Sequence, residues 1–245
     1  MFHLNKLYVV GIGPGAPEDM TLRARSALED AQVIAGYGVY VDLVKPMFPE
    51  KEYLTTAMRK ESERCRMAIE AACEGKTVAM ISSGDAGVYG MAGLIYELSQ
   101  GRNLQIEVVP GVTAALSGAA VLGAPLTHDF AVISLSDLLT PWEKIERRLE
   151  MAAAADFCIA IYNPSSIRRA DHLRRACEIL LRHASPETVC GAVRNIGREG
   201  ERTELMTLSE MKDYAADMFT TIFIGNSQTR VIDGRMVTPR GYRDV

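Results

Sequence analysis

Short runs of apolar residues alternate with longer segments in which apolar positions return every three or four residues, almost from one end of the chain to the other. Short runs suit buried strands and the helical spacing suits helices packed on them, so the order predicts βαβ units and a largely parallel sheet. In the first half, strands are predicted at 7–12, 33–35, 78–82 and 106–109, with helices at 21–31, 59–74 and 91–98. Thr21 is placed to cap the first of these helices and Gly75 to terminate the second. In the second half, strands are predicted at 131–135, 157–162, 188–193 and 220–224, and helices at 142–153 and 170–183. Eight or more strands and a Gly/Pro-rich seam from Gly111 to Pro125 predict an α/β protein of two α/β domains, 1–115 and 116–245, with a ligand cleft between them.

The uncharged stretch 108–127 is broken by Pro110, Gly111, Gly118, Gly123 and Pro125, which predicts a buried strand end and a tightly packed helix, with no membrane span. Leu7-Tyr8-Val9-Val10 is too short for the apolar region of a signal peptide. With 245 residues, 48% of them hydrophobic and 24% charged, disorder and fibrous classes are excluded. The net charge of −4 is interspersed, so no basic field recruits nucleic acid, and an acidic substrate needs a local basic pocket. Five cysteines, Cys65, Cys73, Cys158, Cys177 and Cys190, form no CxxC pair, which points to a reduced, cytoplasmic interior without a zinc site.

Two glycine-rich segments follow predicted strands. Gly11-Ile12-Gly13-Pro14-Gly15-Ala16 matches a dinucleotide fingerprint in spacing. Its context argues against one: the helical pattern starts only near Thr21, and no acidic residue closes the second strand, where Ile34-Ala35 runs into Gly36-Tyr37-Gly38. Ser82-Ser83-Gly84-Asp85-Ala86-Gly87-Val88-Tyr89-Gly90 follows the run Thr77-Val78-Ala79-Met80-Ile81, and offers backbone N–H groups where a small ligand can approach closely.

Taken together, Val9-Val10-Gly11-Ile12-Gly13-Pro14-Gly15, Ser83-Gly84-Asp85 and Val109-Pro110-Gly111-Val112-Thr113-Ala114 closely resemble the tetrapyrrole (corrin and porphyrin) methylase family. Ala86 departs from the proline usual after that aspartate. With Thr55-Thr56-Ala57-Met58-Arg59-Lys60-Glu61, Gly87-Val88-Tyr89-Gly90-Met91-Ala92-Gly93 and Ile133-Ser134-Leu135-Ser136-Asp137-Leu138-Leu139-Thr140-Pro141-Trp142, this resembles the branch that methylates C17 in cobalamin synthesis. Ile161-Tyr162-Asn163-Pro164-Ser165 and Met236-Val237-Thr238-Pro239-Arg240-Gly241-Tyr242 extend the resemblance almost to the end of the chain.

The resemblance implies S-adenosylmethionine as cofactor, a homodimer, and methylation of precorrin-3B or its cobalt-containing counterpart at C17, coupled to ring contraction. Position by position, it implies cofactor contacts from Pro14, Gly84, Asp85, Val88, Thr113 and Ala114, and from Tyr162, Asn163, Val193 and Thr221. For Asp85 the plainer role is a turn-forming aspartate before a helix, and for Val193 it is strand core. A corrinoid precursor carries several carboxylates, which Arg59 and Lys60 at a helix start are placed to meet; the alternative is a solvated face paired with Glu63. Ser134, Ser136, Asp137 and Thr140 form a polar cluster that either faces substrate or caps the helix before Trp142.

Ring contraction needs proton transfers. His128-Asp129 is the only dipeptide in which Asp follows His and, with Ser136, supplies the acid/base candidates, whereas His3, His172 and His183 show no partner motif. Methyl transfer itself needs no protein nucleophile and no protein-bound metal. The competing readings are methylation at another tetrapyrrole carbon, a nicotinamide-dependent oxidoreductase, and a binding module without turnover.

Overall fold

A computed structural model describes residues 5–166 and 169–243. The chain divides into two compact units, Met1–Thr113 and Ala114–Val245. The first contains β1 (Lys6–Gly11), a 3-10 turn (Pro17–Asp19), α1 (Leu22–Asp30), β2 (Val33–Tyr37), α2 (Gly38–Val44), β3 (Glu52–Thr56), α3 (Glu61–Cys73), β4 (Val78–Ser82), α4 (Ala92–Leu98) and β5 (Gln105–Val109). Its five strands lie in the order β3-β2-β4-β1-β5 and every pairing is parallel.

The central strands are apolar throughout because both faces are covered. Alternate residues divide between two cores: Leu7, Val9, Val33, Val78 and Met80 pack with Cys65, Ile69 and Ile95 of α3 and α4. Tyr8, Val10, Ile34, Ala79 and Ile81 pack with Ala24, Leu28 and Val41 of α1 and α2. Thr21 caps α1, its hydroxyl accepting from the Ala24 N–H at 3.0 Å, and α3 ends at Cys73 with Gly75 at φ +95° just beyond.

The second unit contains α5 (Ala114–Leu122), β6 (Gly123–Ala124), β7 (Phe130–Ser134), α6 (Trp142–Ala154), β8 (Cys158–Tyr162), α7 (His172–Leu180), β9 (Val189–Arg194), β10 (Arg202–Thr207), α8 (Leu208–Met211), β11 (Thr220–Ile224), β12 (Arg230–Ile232) and β13 (Arg235–Val237). Here the largely parallel expectation fails. The sheet β10-β9-β11-β8-β7 has one parallel pair, β7 with β8, and three antiparallel ones. A small sheet, β12-β13-β6, adjoins it in sequence. One face of the larger sheet packs on Ile145, Leu149, Leu173 and Leu180 of α6 and α7; the other packs on Ala115, Ala119 and Leu122 of α5.

Elements absent from the sequence expectation are α2, β3, β6, β10, α8, β12 and β13. Most are short or at an edge. A further correction concerns α3, which begins at Glu61, so Arg59 and Lys60 stand before it. Among the described residues no helix is long and apolar enough to cross a membrane.

Candidate functional site: interlocked glycine loops and a serine–asparagine cluster

In the first unit the parallel sheet sets all strand ends on one side. The register pairs Gly11 with Ser82 and Tyr37 with Thr56, while Val9 and Ala35 both pair with Met80, so Gly11, Ser82, Tyr37 and Thr56 share one level. The loops after β1, β4 and β5 meet just beyond it. The Gly13 N–H donates to the Gly84 carbonyl at 3.1 Å and the Gly84 N–H returns to the Gly13 carbonyl at 2.7 Å. The Ile12 N–H donates to the Ser82 carbonyl at 2.9 Å, and the Ser82 hydroxyl accepts from the Met91 N–H at 3.2 Å.

Asp85 locks the arrangement. Its Oδ1 accepts from the N–H groups of Gly87 (2.8 Å) and Val88 (3.2 Å), and its Oδ2 accepts from Gly111 N–H at 3.0 Å. The carboxylate therefore joins the β4 loop to the β5 loop. Glycine is required where these loops cross: a Cβ on Gly11 would stand 2.7 Å from both Gly111 N and Gly84 O, and one on Gly111 would overlap the Gly84 and Gly11 carbonyl oxygens. Gly87 stays exposed at the surface of the loop, whereas Pro14 and Gly84 are buried beneath it. No helix starts at Gly13; α1 begins at Leu22, which removes the helix terminus that a dinucleotide pyrophosphate needs.

The second unit gathers its polar residues at the parallel ends of β7 and β8, where Ser134 pairs with Tyr162. Asn163, at φ +53°, turns its amide back so that Nδ2 donates to Ser134 Oγ at 2.9 Å, and the Ser136 N–H donates to the same oxygen at 3.2 Å. Tyr162 Oη accepts the Ala115 N–H at 2.6 Å, satisfying an amide in the first turn of α5. Val193 and Thr221 face each other across β9 and β11, and both are buried. The Val193 side chain is sealed in the core with Ala115, Leu122 and Phe223, so strand core is its observed role.

His172 was missed. It is buried on α7, with Nδ1 3.0 Å from the Leu135 carbonyl, Nε2 3.7 Å from Asp137 Oδ2, and its ring 4.6 Å from that of Trp142. A carbonyl only accepts, so Nδ1 carries the proton and Nε2 faces the carboxylate. Nothing local signals this, because 35 residues separate Leu135–Asp137 from His172 in sequence.

His128 and Asp129 lie 3.7 Å apart, with 51% and 80% of their side chains exposed. They precede β7, whereas Ser134 ends it, so some 16 Å of strand separates them from the serine–asparagine cluster. Arg59 lies before α3 in the left-handed region (φ +67°), and Lys60 Nζ pairs with Glu63 at 3.1 Å. This is the solvated pairing; Lys60 is the N-cap of α3 and Arg59 precedes it. His3 lies outside the described residues.

Burial makes Cys65 and Cys177 poor nucleophiles. Desolvation pushes Cys65 up to about 11 and Cys177 up to about 12. The polar groups that the two clusters offer are backbone amides, hydroxyls and the Asp137–His172 pair.

The chain matches the Tetrapyrrole (Corrin/Porphyrin) Methylases over residues 6–212, a span holding all three glycine loops and the serine–asparagine cluster, and it belongs to that family. It is 49% identical to the probable cobalt-factor III C(17)-methyltransferase of Salmonella typhimurium, across 96% of this chain and 99% of that one. It is 41% identical to the precorrin-3B C(17)-methyltransferase of a Sinorhizobium species, across 96% of each. Among solved structures, the methyltransferase CobJ superposes with a TM-score of 0.88 at 36% identity, covering 95% of this chain and 99% of that one.

Proposed function

We propose that this chain is an S-adenosylmethionine-dependent C-methyltransferase acting at C17 of precorrin-3B or its cobalt-containing counterpart, with coupled ring contraction, in cobalamin biosynthesis. The observation that carries the reading is the likeness to the Salmonella enzyme over 96% of this chain and 99% of that enzyme's length. A cytoplasmic homodimer goes with the same reading.

The cofactor supplies a methyl group on a sulfonium, and transfer to carbon is an in-line displacement. Alignment then contributes most, up to roughly 7–11 kcal/mol for well-oriented partners. Loops stitched by reciprocal backbone bonds suit that task, since they present amides and carbonyls without side-chain freedom. Pro14, Gly84, Val88, Thr113 and Ala114 are the proposed contacts from the glycine loops and the start of α5. Tyr162, Asn163 and Thr221 are further contacts, with Val193 contributing through its backbone. Asp85 acts differently from a direct ligand. Its carboxylate is engaged by three N–H groups, so it holds the loops in shape.

Ser134, Ser136 and Asp137 are the proposed substrate-facing group. For the proton transfers of ring contraction, Asp137 with His172 replaces His128-Asp129, because it is the titratable pair that adjoins this group.

Calorimetric titration tests the cofactor. Micromolar binding of S-adenosylmethionine or its demethylated product, with none of NAD, is the expected result; binding of NAD alone would overturn it. Incubation with S-adenosylmethionine and cobalt-factor III should then give a product heavier by one methyl replacing one hydrogen.

A further inference from the structure

Arg64 is the odd residue of the first unit. It lies on α3, is only 5% exposed, and has no acidic partner among the described residues. Its Nη1 donates to Thr56 Oγ1 at 2.7 Å, and its Nε is buried with no acceptor. A guanidinium has five donors, and a buried cation without a counter-charge costs several kcal/mol. Among the described residues of the unit, no other buried side-chain polar atom lacks a partner. Such a cation persists where a ligand completes it.

We infer that Arg64, with the Thr56 hydroxyl beside it, receives a carboxylate of the tetrapyrrole substrate. The inference rests on the methyltransferase reading for the identity of the ligand. Thr56 ends β3 on the level at which Gly11 ends β1, and three strand spacings separate them, about 14 Å. A carboxylate on the rim of a macrocycle whose reacting carbon faces the glycine loops lies at that kind of distance. The amino-acid carboxylate of the cofactor is the other source of the same chemistry, and the distance disfavours it. The turn at 57–60 wraps Thr56, whose hydroxyl lies 3.4 Å from the carbonyls of Ala57 and Lys60. That turn, with Arg59 held in the left-handed region, is the segment that gives way as the carboxylate enters.

Removing the cation tests the inference on the full chain. Arg64→Met should weaken binding of cobalt-factor III at least tenfold, measured by quenching or absorbance titration, while affinity for S-adenosylhomocysteine stays within twofold. Thr56→Val should show a smaller loss of the same kind, and Arg64→Lys should recover part of it. Since an apolar residue relieves an unpaired buried charge, the melting temperature of Arg64→Met should hold or rise. A lower melting temperature with unchanged macrocycle affinity makes Arg64 a structural strut and overturns the inference. A loss confined to S-adenosylhomocysteine assigns the carboxylate to the cofactor and overturns it too. If the parent protein binds S-adenosylhomocysteine but no tetrapyrrole, the functional reading fails first and the inference falls with it.

Discussion

A carboxylate that accepts three backbone N–H groups has little left to offer a ligand, and Asp85 is the residue where the local pattern and the long-range one differ. The Ser-Gly-Asp turn is visible in the sequence, and so are the bonds to Gly87 and Val88. The bond to Gly111, 26 residues on, is not. Asp85→Asn keeps the shape but replaces one acceptor oxygen with an NH2 that faces another N–H. We expect a cost on the order of 2–3 kcal/mol in urea unfolding, together with weaker cofactor binding. Weaker binding with unchanged stability would return Asp85 to the role of direct ligand. The same blindness to distant contacts hid His172, whose partners come from another element. Arg64 was hidden for a related reason: a charged residue on a helix reads as solvent-facing until its neighbours are known.

At the scale of elements, the strands buried on both faces were the legible ones, because β1, β2 and β4 carry an apolar run with no competing signal. The edge strands β3 and β10 are half-exposed, with Glu52, Arg202, Thr203 and Glu204 facing out, so their patterns lack the apolar run. Strand direction was less legible still. Apolar strands separated by helical segments suggest parallel crossovers, but β9 and β10 are joined by a turn at 195–201 with no helix, which allows antiparallel return. The glycine loops make the sharpest prediction at this level. Gly111→Ala drives a methyl into two carbonyl oxygens from two other loops, so it should separate the loops and abolish cofactor binding. Gly93→Ala, at a position with open space around its Cβ, is the control, and it should bind normally and gain slightly in helix stability. Equal binding by both variants would show that the crossing is not required.

Across the whole molecule, buried acids give the chain an alkaline limit. Desolvation raises Cys65 from 9.0 to about 11, Cys177 from 9.0 to about 12, and Tyr214 from 10.0 to about 12 with help from its bond to Glu204. The sign follows from linkage: the folded state keeps protons that the unfolded chain gives up. This stability is complete below about pH 9 and is lost progressively as the pH rises toward 11 and 12. Melting temperatures should be level near neutrality and fall steadily above pH 9, and Cys177→Ala should flatten part of that slope; a melting temperature constant to pH 11 would contradict it.

The central claim, that the interlocked loops serve methyl transfer to one carbon of a corrin precursor, is tested most directly by following the methyl group itself. Reaction of the protein with S-adenosylmethionine labelled with 13C at the methyl and cobalt-factor III, read by NMR of the isolated product, should place the label on C17 of a contracted ring. Label on another carbon, or none transferred to a macrocycle that the protein binds, would contradict it.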